Sequence, residues 1–263
     1  MTTWADHPQE VNPLTWVLFA VGVALLVIFG WHEGRIPSPI IDIQLLRWRP
    51  FLATNLYNLI FGAAISGFFS FIPYYAIVAY GMTAGESGIV LSPRSLMMII
   101  MSALSSLFLI RFGYRRPMII GVLLIAASLF LLSRGYHDVI LLGLHVPNLA
   151  LLAMMIVVSG IGLGIANPAS SNAALDLIPE KVAAASGIRG MFRFTGGTLG
   201  TGALILVLSH FPDKAVGLQY IFLFFSFMML ALIPIVFLIP DTARQRHLAG
   251  QKSSHQASNE NGS

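Results

Sequence analysis

The sequence predicts an all-α integral membrane protein with seven transmembrane helices. Three observations carry that reading. Of 263 residues, 56% are hydrophobic and only 10% charged, where a soluble domain carries about 25% charged residues. Glycine and proline number 24 and 14, the enrichment found in helices that pack within lipid. Apolar runs long enough to cross the hydrocarbon core, about 20 residues each, recur along the chain.

Taken in order, the runs cover residues 13–31, 51–80, 89–110, 117–133, 147–172, 188–211 and 216–239. The first has no Lys or Arg before it, so it reads as a permanent span and not a cleaved signal. Pro73, Pro93, Pro168 and Pro234 fall within the second, third, fifth and seventh runs. In lipid such prolines kink a helix without ending it, because neighbours satisfy the freed carbonyl. Residues 1–12 then form an external tail, 13–31 a leading helix, 32–50 a cytoplasmic loop and 51–239 a six-helix bundle. Residues 240–263 are polar, rich in Gly, Ser and Asn, and are expected to be disordered.

Basic residues in short loops are retained on the cytoplasmic side, and here they alternate. One side receives Arg35, Arg47, Arg49, Arg111, Arg115, Arg116, Lys181, Arg189, Arg193, Arg244, Arg246 and Lys252, and the other only Arg94, Arg134 and Lys214. The expected topology is a multi-pass protein of the cell (inner) membrane with its N-terminus outside and its C-terminus in the cytoplasm. Trp16, Trp31, Trp48, Tyr80, Tyr136 and Tyr220 fall near the proposed helix ends, where they serve either as headgroup-level anchors or as ordinary packing residues.

Several function classes are excluded by composition. Cysteine is absent, which removes disulfides, thiolate metal sites and cysteine nucleophiles. The net charge of +4 contains no basic run able to grip nucleic acid. Every Asp, Glu and His falls in a loop, a tail or a helix end, so no proton-relaying group is expected at depth. Lys181, Lys214 and Lys252 are also peripheral, which argues against a Schiff-base chromophore. No catalytic constellation, metal site or cofactor site is read, and the chain is not expected to be an enzyme.

Neutral and cationic side chains remain at depth. Asn55, Asn58, Arg94, Asn167 and Arg193 are the candidates for facing a substrate cavity. Arg94 has two readings: its long stem carries the charge outward to the headgroups, or it faces the bundle interior and meets an anion there. Gly160 and Gly164, like Gly196 and Gly200, stand four apart, the spacing that flattens one helix face for close packing.

Four strings in order carry a family resemblance: PSPIIDIQLLRWRPF before the second run, ESGIVLSPRSL at the third, RFGYRRP after it, and SGIRGMFRFTGGTLG in the sixth. Together they resemble the C-terminal part of drug:proton antiporters of the major facilitator superfamily, in the branch with fourteen spanning helices. Arg111, Gly113, Arg115 and Arg116 resemble that superfamily's cytoplasmic signature loop, with Ile110 and Ser106 departing from its pattern. The resemblance implies that 13–31 is a linker-type helix and 51–239 the C-terminal transporter bundle. It further implies efflux of small amphipathic molecules by alternating access, from a truncated or split half whose partners are the bilayer and an N-terminal transporter half. On its own the chain is expected not to sustain proton-driven efflux. The other class compatible with these residues is a non-transporting seven-helix sensor or accessory subunit.

The native chain offers a clean background for thiol labelling. A single cysteine placed near the N-terminus should react with an impermeant maleimide added outside intact cells, and one near the C-terminus only after permeabilisation; reaction of both from the same side would overturn the odd number of crossings.

Overall fold

The structure, a computed structural model, describes residues 17, 20–22, 24, 25, 28, 31, 32 and 48–241, apart from 142 and 143. The described residues of the leading segment, among them Val17, Leu25 and Trp31, are helical and exposed. The remainder of the 13–31 span, the N-terminal tail, most of the 32–50 loop and the tail from residue 242 lie outside the described residues. Among the described residues, six helical stretches are long and apolar enough to cross a membrane.

Span one is α1 (Arg49–Tyr80), with Pro50 in its first turn, where the missing N–H costs nothing. It ends at Gly81, whose left-handed backbone (φ 64°) lets Gly81 and Met82 donate to the Ile77 and Ala76 carbonyls. Span two begins earlier than the apolar run, because Thr83 and Glu86 form a reciprocal capping box that opens α2 (Ala84–Ile89). The helix breaks at Val90 and resumes as α3 (Leu91–Phe112), where Pro93 sits in the first turn and withholds the N–H that Ile89 would have accepted. Span three is α4 (Arg115–Ser133). A hairpin of two-residue strands, β1 (Ile140–Leu141) and β2 (Leu144–His145), occupies the following loop, a local addition to an otherwise helical fold.

Span four, α5 (Asn148–Asp176), runs past the expected end at residue 172. Span five, α6 (Val182–Ser209), opens six residues before the expected 188, after a 3-10 turn at Pro179–Lys181. The run Val182-Ala-Ala-Ala-Ser186 favours helix but is not apolar enough to register against Arg189 and Arg193. Lys214 closes this helix by donating to the Leu208 and Phe211 carbonyls at 3.1 and 2.9 Å. Span six is α7 (Lys214–Leu230), capped by Asp213, and α8 (Leu232–Leu238), divided at Ala231 just before Pro234.

The spans pack in a repeating pattern. Span one lies along span five as span four lies along span two; span three packs on four as six packs on one; three and six meet each other. Exchanging the first three spans with the last three reproduces this pattern, and three crossings separate each equivalent pair. The two triplets therefore traverse the membrane in opposite senses.

Lipid supplies no hydrophobic drive between helices, so close backbone approach has to hold the seams. On α6, a Cβ at Gly196 would fall on the Leu59 carbonyl and one at Gly200 on the Ala63 carbonyl; from α1, a Cβ at Gly62 would strike the Arg193 carbonyl. On α5, Gly160 and Gly164 likewise admit the carbonyls of Arg94 and Met98 on α3. Both pairs run parallel at constant register, the geometry for weak Cα–H···O contacts along the seam. Side chains add interhelical hydrogen bonds: Tyr75 to the Leu132 carbonyl (3.0 Å), Ser128 to Met155 (2.7 Å) and Ser226 to Ala126 (2.9 Å). Phe222 fills the core between them, edge-on to both Phe68 and Tyr75.

At the end of the bundle bearing residues 113–116, Gly113 has φ 75° and ψ −172°, a conformation that disfavours any side chain. It lets the Asp241 carboxylate reach the Tyr114 N–H at 2.7 Å, in space a Cβ would occupy. Tyr114 donates its hydroxyl to Asp176 at the end of α5 (2.7 Å), while Arg115 donates to the Ile239 and Phe237 carbonyls (2.7 and 2.9 Å). One turn thus ties spans two and three to the ends of four and six. Gly113→Ala should lower stability by about 1–3 kcal/mol from backbone strain alone, with more from the collision. Thermal unfolding in detergent of Gly113→Ala, Asp241→Ala and the double variant should show less than additive loss; strict additivity would mean that glycine and carboxylate do not share this space.

Candidate functional site

The candidate site lies on the side of the bundle formed by α1, α3, α5 and α6. Its polar groups sit on helices whose rotation is fixed by the two glycine seams. Because span two starts at Ala84, Arg94 lies about ten residues into it, roughly 15 Å from its start at 1.5 Å per residue. That is near the middle of a hydrocarbon core about 30 Å thick. Arg94 does not reach outward there. Its guanidinium lies over the Phe69 ring of α1, 3.1 Å from the centroid, and its stem packs where Gly160 leaves space. A charge at that depth costs roughly 2.5–3.5 kcal/mol on insertion scales, and a desolvated cation–π contact returns about 2 kcal/mol or more. Phe69 thus offsets much of the cost that a carboxylate would otherwise have to meet.

Arg193 repeats the arrangement lower on the same wall. It donates through Nη1 to the Asn167 side chain of α5 and stands 5.2 Å from the centroid of Phe61 on α1. Phe61 and Phe69 are eight residues apart on α1, and the α5 positions met by the two arginines, Asn167 and Gly160, are seven apart, about 10 Å along the axis. Arg193 is three turns inside α6, because that helix begins at Val182. Arg189, one turn before it on the same face, buries its Nε and Nη1 with no hydrogen-bond partner.

Facing α6, α1 presents Asn55 and Asn58, seven and four residues before Gly62. Both are fully buried. Each spends its amide N–H on its own helix, to the Phe51 carbonyl at 2.9 Å and the Thr54 carbonyl at 2.8 Å. Their Oδ1 atoms and the Tyr57 hydroxyl are buried without a partner. Free buried acceptors and donors each cost about 1–3 kcal/mol, so this concentration marks where the bundle is incomplete as a closed core. Beside it, Asn167, Ser102 and Ser106 line a half-polar cleft of about 390 Å³ between α3 and α5, with Met98, Ile99 and Leu163. The arrangement can hold an amphipathic guest: hydrogen-bonding groups and cations on one side, apolar side chains on the other.

The structure therefore gathers Asn167 and Arg193 into one contact and sets Arg94 higher on the same wall. Asn55 and Asn58 line the α1–α6 seam and do not touch the cleft. Gly160, Gly164, Gly196 and Gly200 all lie at helix–helix contacts. In the signature-like loop, Gly113 and Arg115 are held in the turn described above. Arg116 is exposed at the rim of a second cleft, about 470 Å³ and lined mainly by apolar side chains such as Leu104 and Phe108. Arg111 is the penultimate residue of α3. Reasoning from sequence did not single out Tyr57 or Arg189. The four-residue step from Arg189 to Arg193, continuing into Gly196 and Gly200, was the available signal for the latter.

Comparison with known proteins accords with this architecture. The chain is 28% identical over 201 residues to the tetracenomycin C resistance and export protein of Streptomyces glaucescens, covering 74% of this chain and 36% of that protein. It is 26% identical over 193 residues to the multidrug transporter protein MdtP of Bacillus subtilis, covering 73% and 34%. With the multidrug efflux pump LfrA of Mycolicibacterium smegmatis the identity is 25% over 194 residues, covering 73% and 37%. The chain thus spans only about a third of the length of these relatives. Residues 54–260 match the Major Facilitator Superfamily as a whole, which takes in all six described spans almost from their first residue. A multi-pass helical bundle with inverted triplets and drug-exporting relatives is what this match leads one to find, and the chain belongs to the major facilitator superfamily.

Proposed function

We propose that this bundle is one wall of an alternating-access carrier that exports small amphipathic molecules, working against a second, N-terminal six-helix bundle on the same polypeptide or on another chain. Superfamily transporters rock two such bundles about a site near the bilayer midplane. The observation that carries the reading is uneven burial. Only 11% of the residues in the span-two window and 28% in the span-five window are buried, against 39–50% in the other four. Spans two and five are equivalents under the internal exchange, and both belong to the polar wall, carrying Arg94 and Arg193. Leu96, Ile99, Phe194 and Leu199 are exposed along them, at 59%, 64%, 79% and 62%. Two underpacked, symmetry-related helices beside unsatisfied polar groups fit a face that a second bundle covers and uncovers.

The orientation that goes with this reading puts the 113–116 turn and Asp241 in the cytoplasm and the 133–148 loop outside, in the cell membrane. Within the described helices, carboxylates occur only at ends and connections, at Glu86, Asp176 and Asp213 among others. Proton coupling would accordingly come from the partner bundle.

Reconstituted alone in liposomes, the protein should give no pH-gradient-driven movement of a fluorescent amphiphile, and supplying the complementary bundle should restore it. Asn167→Leu in the assembled carrier should cut that flux tenfold or more with assembly unchanged. Gradient-driven flux by these 263 residues alone would overturn the proposal.

A further inference from the structure

Among the described residues, nothing neutralises the positive charge that the wall carries. Arg94, Arg189 and Arg193 are half-buried, and among the described residues no carboxylate lies within ion-pair distance of any of them. Their compensation is graded. Arg94 has the Phe69 face but a buried Nε without an acceptor. Arg193 has Phe61 and the Asn167 side chain. Arg189 has neither ring nor acceptor, with both Nε and Nη1 buried and unpartnered. Neutral acceptors such as the unpartnered Asn55 and Asn58 Oδ1 atoms would leave the net charge untouched even if they bonded an arginine. A buried cation without an anion is strongly unfavourable, and two guanidinium groups one helical turn apart repel each other in addition.

Two properties of the arrangement favour a guest of one charge. Arg189 and Arg193 at i and i+4 share one face of α6, a spacing at which two guanidinium groups can grip one carboxylate, sulfonate or phosphate with charge-assisted hydrogen bonds. A cationic guest would meet the same pair as repulsion in a poorly screened setting. The neighbouring cleft, lined by Met98, Ile99, Ala103 and Leu163 as well as Asn167, offers apolar surface for the rest of the molecule.

We propose that this wall takes a small organic anion with an apolar body, its acidic group held between Arg189 and Arg193 and its body along the α3–α5 cleft. This rests on reading the bundle as a carrier wall and adds the charge class of the guest. Binding is measured without flux, so the two claims fail separately: export lost with anion binding intact counts against the carrier reading alone.

The test uses the full chain in phosphatidylcholine nanodiscs, titrated calorimetrically with naphthalene-2-sulfonate and with a naphthylmethyl-trimethylammonium ion, against empty discs. The sulfonate should bind saturably and the ammonium ion at least tenfold more weakly. Arg189→Gln should weaken sulfonate binding tenfold or more and Arg189→Lys, which restores the charge but not the fork, should recover part of it. Since Arg189 is bonded to no described residue, that pair separates lost charge from lost fold, and Arg193→Gln with unchanged thermal unfolding should act in the same direction. Equal binding of the two probes, or no change in Arg189→Gln, would overturn the proposal. So would loss of sulfonate binding when phosphatidylglycerol replaces part of the phosphatidylcholine, which would give the site to a lipid headgroup.

Discussion

Contact between helix backbones, made possible where glycine removes the side chain, is the constraint from which the rest of this bundle follows. In water a helix is held by burying its apolar face. In lipid every face is already solvated, and packing must come from approach close enough for backbone atoms to touch. Gly196 and Gly200 bring α6 onto the Leu59 and Ala63 carbonyls of α1; Gly160 and Gly164 bring α5 onto the Arg94 and Met98 carbonyls of α3. Interhelical hydrogen bonds such as those of Tyr75 and Ser128 average only about 0.6 kcal/mol each in a membrane. A side chain forced into either seam costs about 1–3 kcal/mol or more, so the seams set the helix rotations and the hydrogen bonds refine them.

Once those rotations are set, function follows from what each helix has on its remaining face. Because α6 turns its glycines to α1, Arg189 and Arg193 fall on the same inward stripe. Because α5 turns Gly160 toward α3, Arg94 has room to lie over the Phe69 ring. The result is a wall on which Arg94 and Arg193 stand at two depths, each on or near an aromatic ring of α1, and whose own spans two and five are left underpacked. The same rotations leave buried acceptors at Asn55, Asn58 and Tyr57 without partners. A bundle built only for stability would have replaced these groups with apolar side chains. On the proposed function, they belong to a wall that opens and closes against a second bundle.

Much of this was legible in the sequence, and the boundary of legibility has a physical form. Hydropathy located the spans because each must be apolar for about 20 residues, and the glycine spacing marked faces able to approach a neighbour. It missed the start of α2, which a capping box sets and not an apolar run, and the start of α6, where alanines outweigh nearby arginines only in propensity. The fate of Arg94 was open because a cation near a helix start can point either way, and the ring that decides it lies 25 residues earlier on another helix. Likewise, Gly113 and Asp241 are joined across more than 120 residues by a turn whose glycine shows no sign of its partner. Arg189 was counted as a loop charge and became a wall residue only when its helix proved to begin at Val182.

The α1–α6 seam sets the geometry of the wall. Thermal unfolding and monodispersity in detergent, measured for leucine substitutions at Gly196 and Gly200 and at Gly190 and Gly202, test it with internal controls, since a Cβ at the latter two meets open space. Gly196→Leu and Gly200→Leu should each abolish or strongly destabilise the folded protein while Gly190→Leu and Gly202→Leu remain near wild type; equal tolerance at all four positions would contradict the claim that backbone contact fixes this wall.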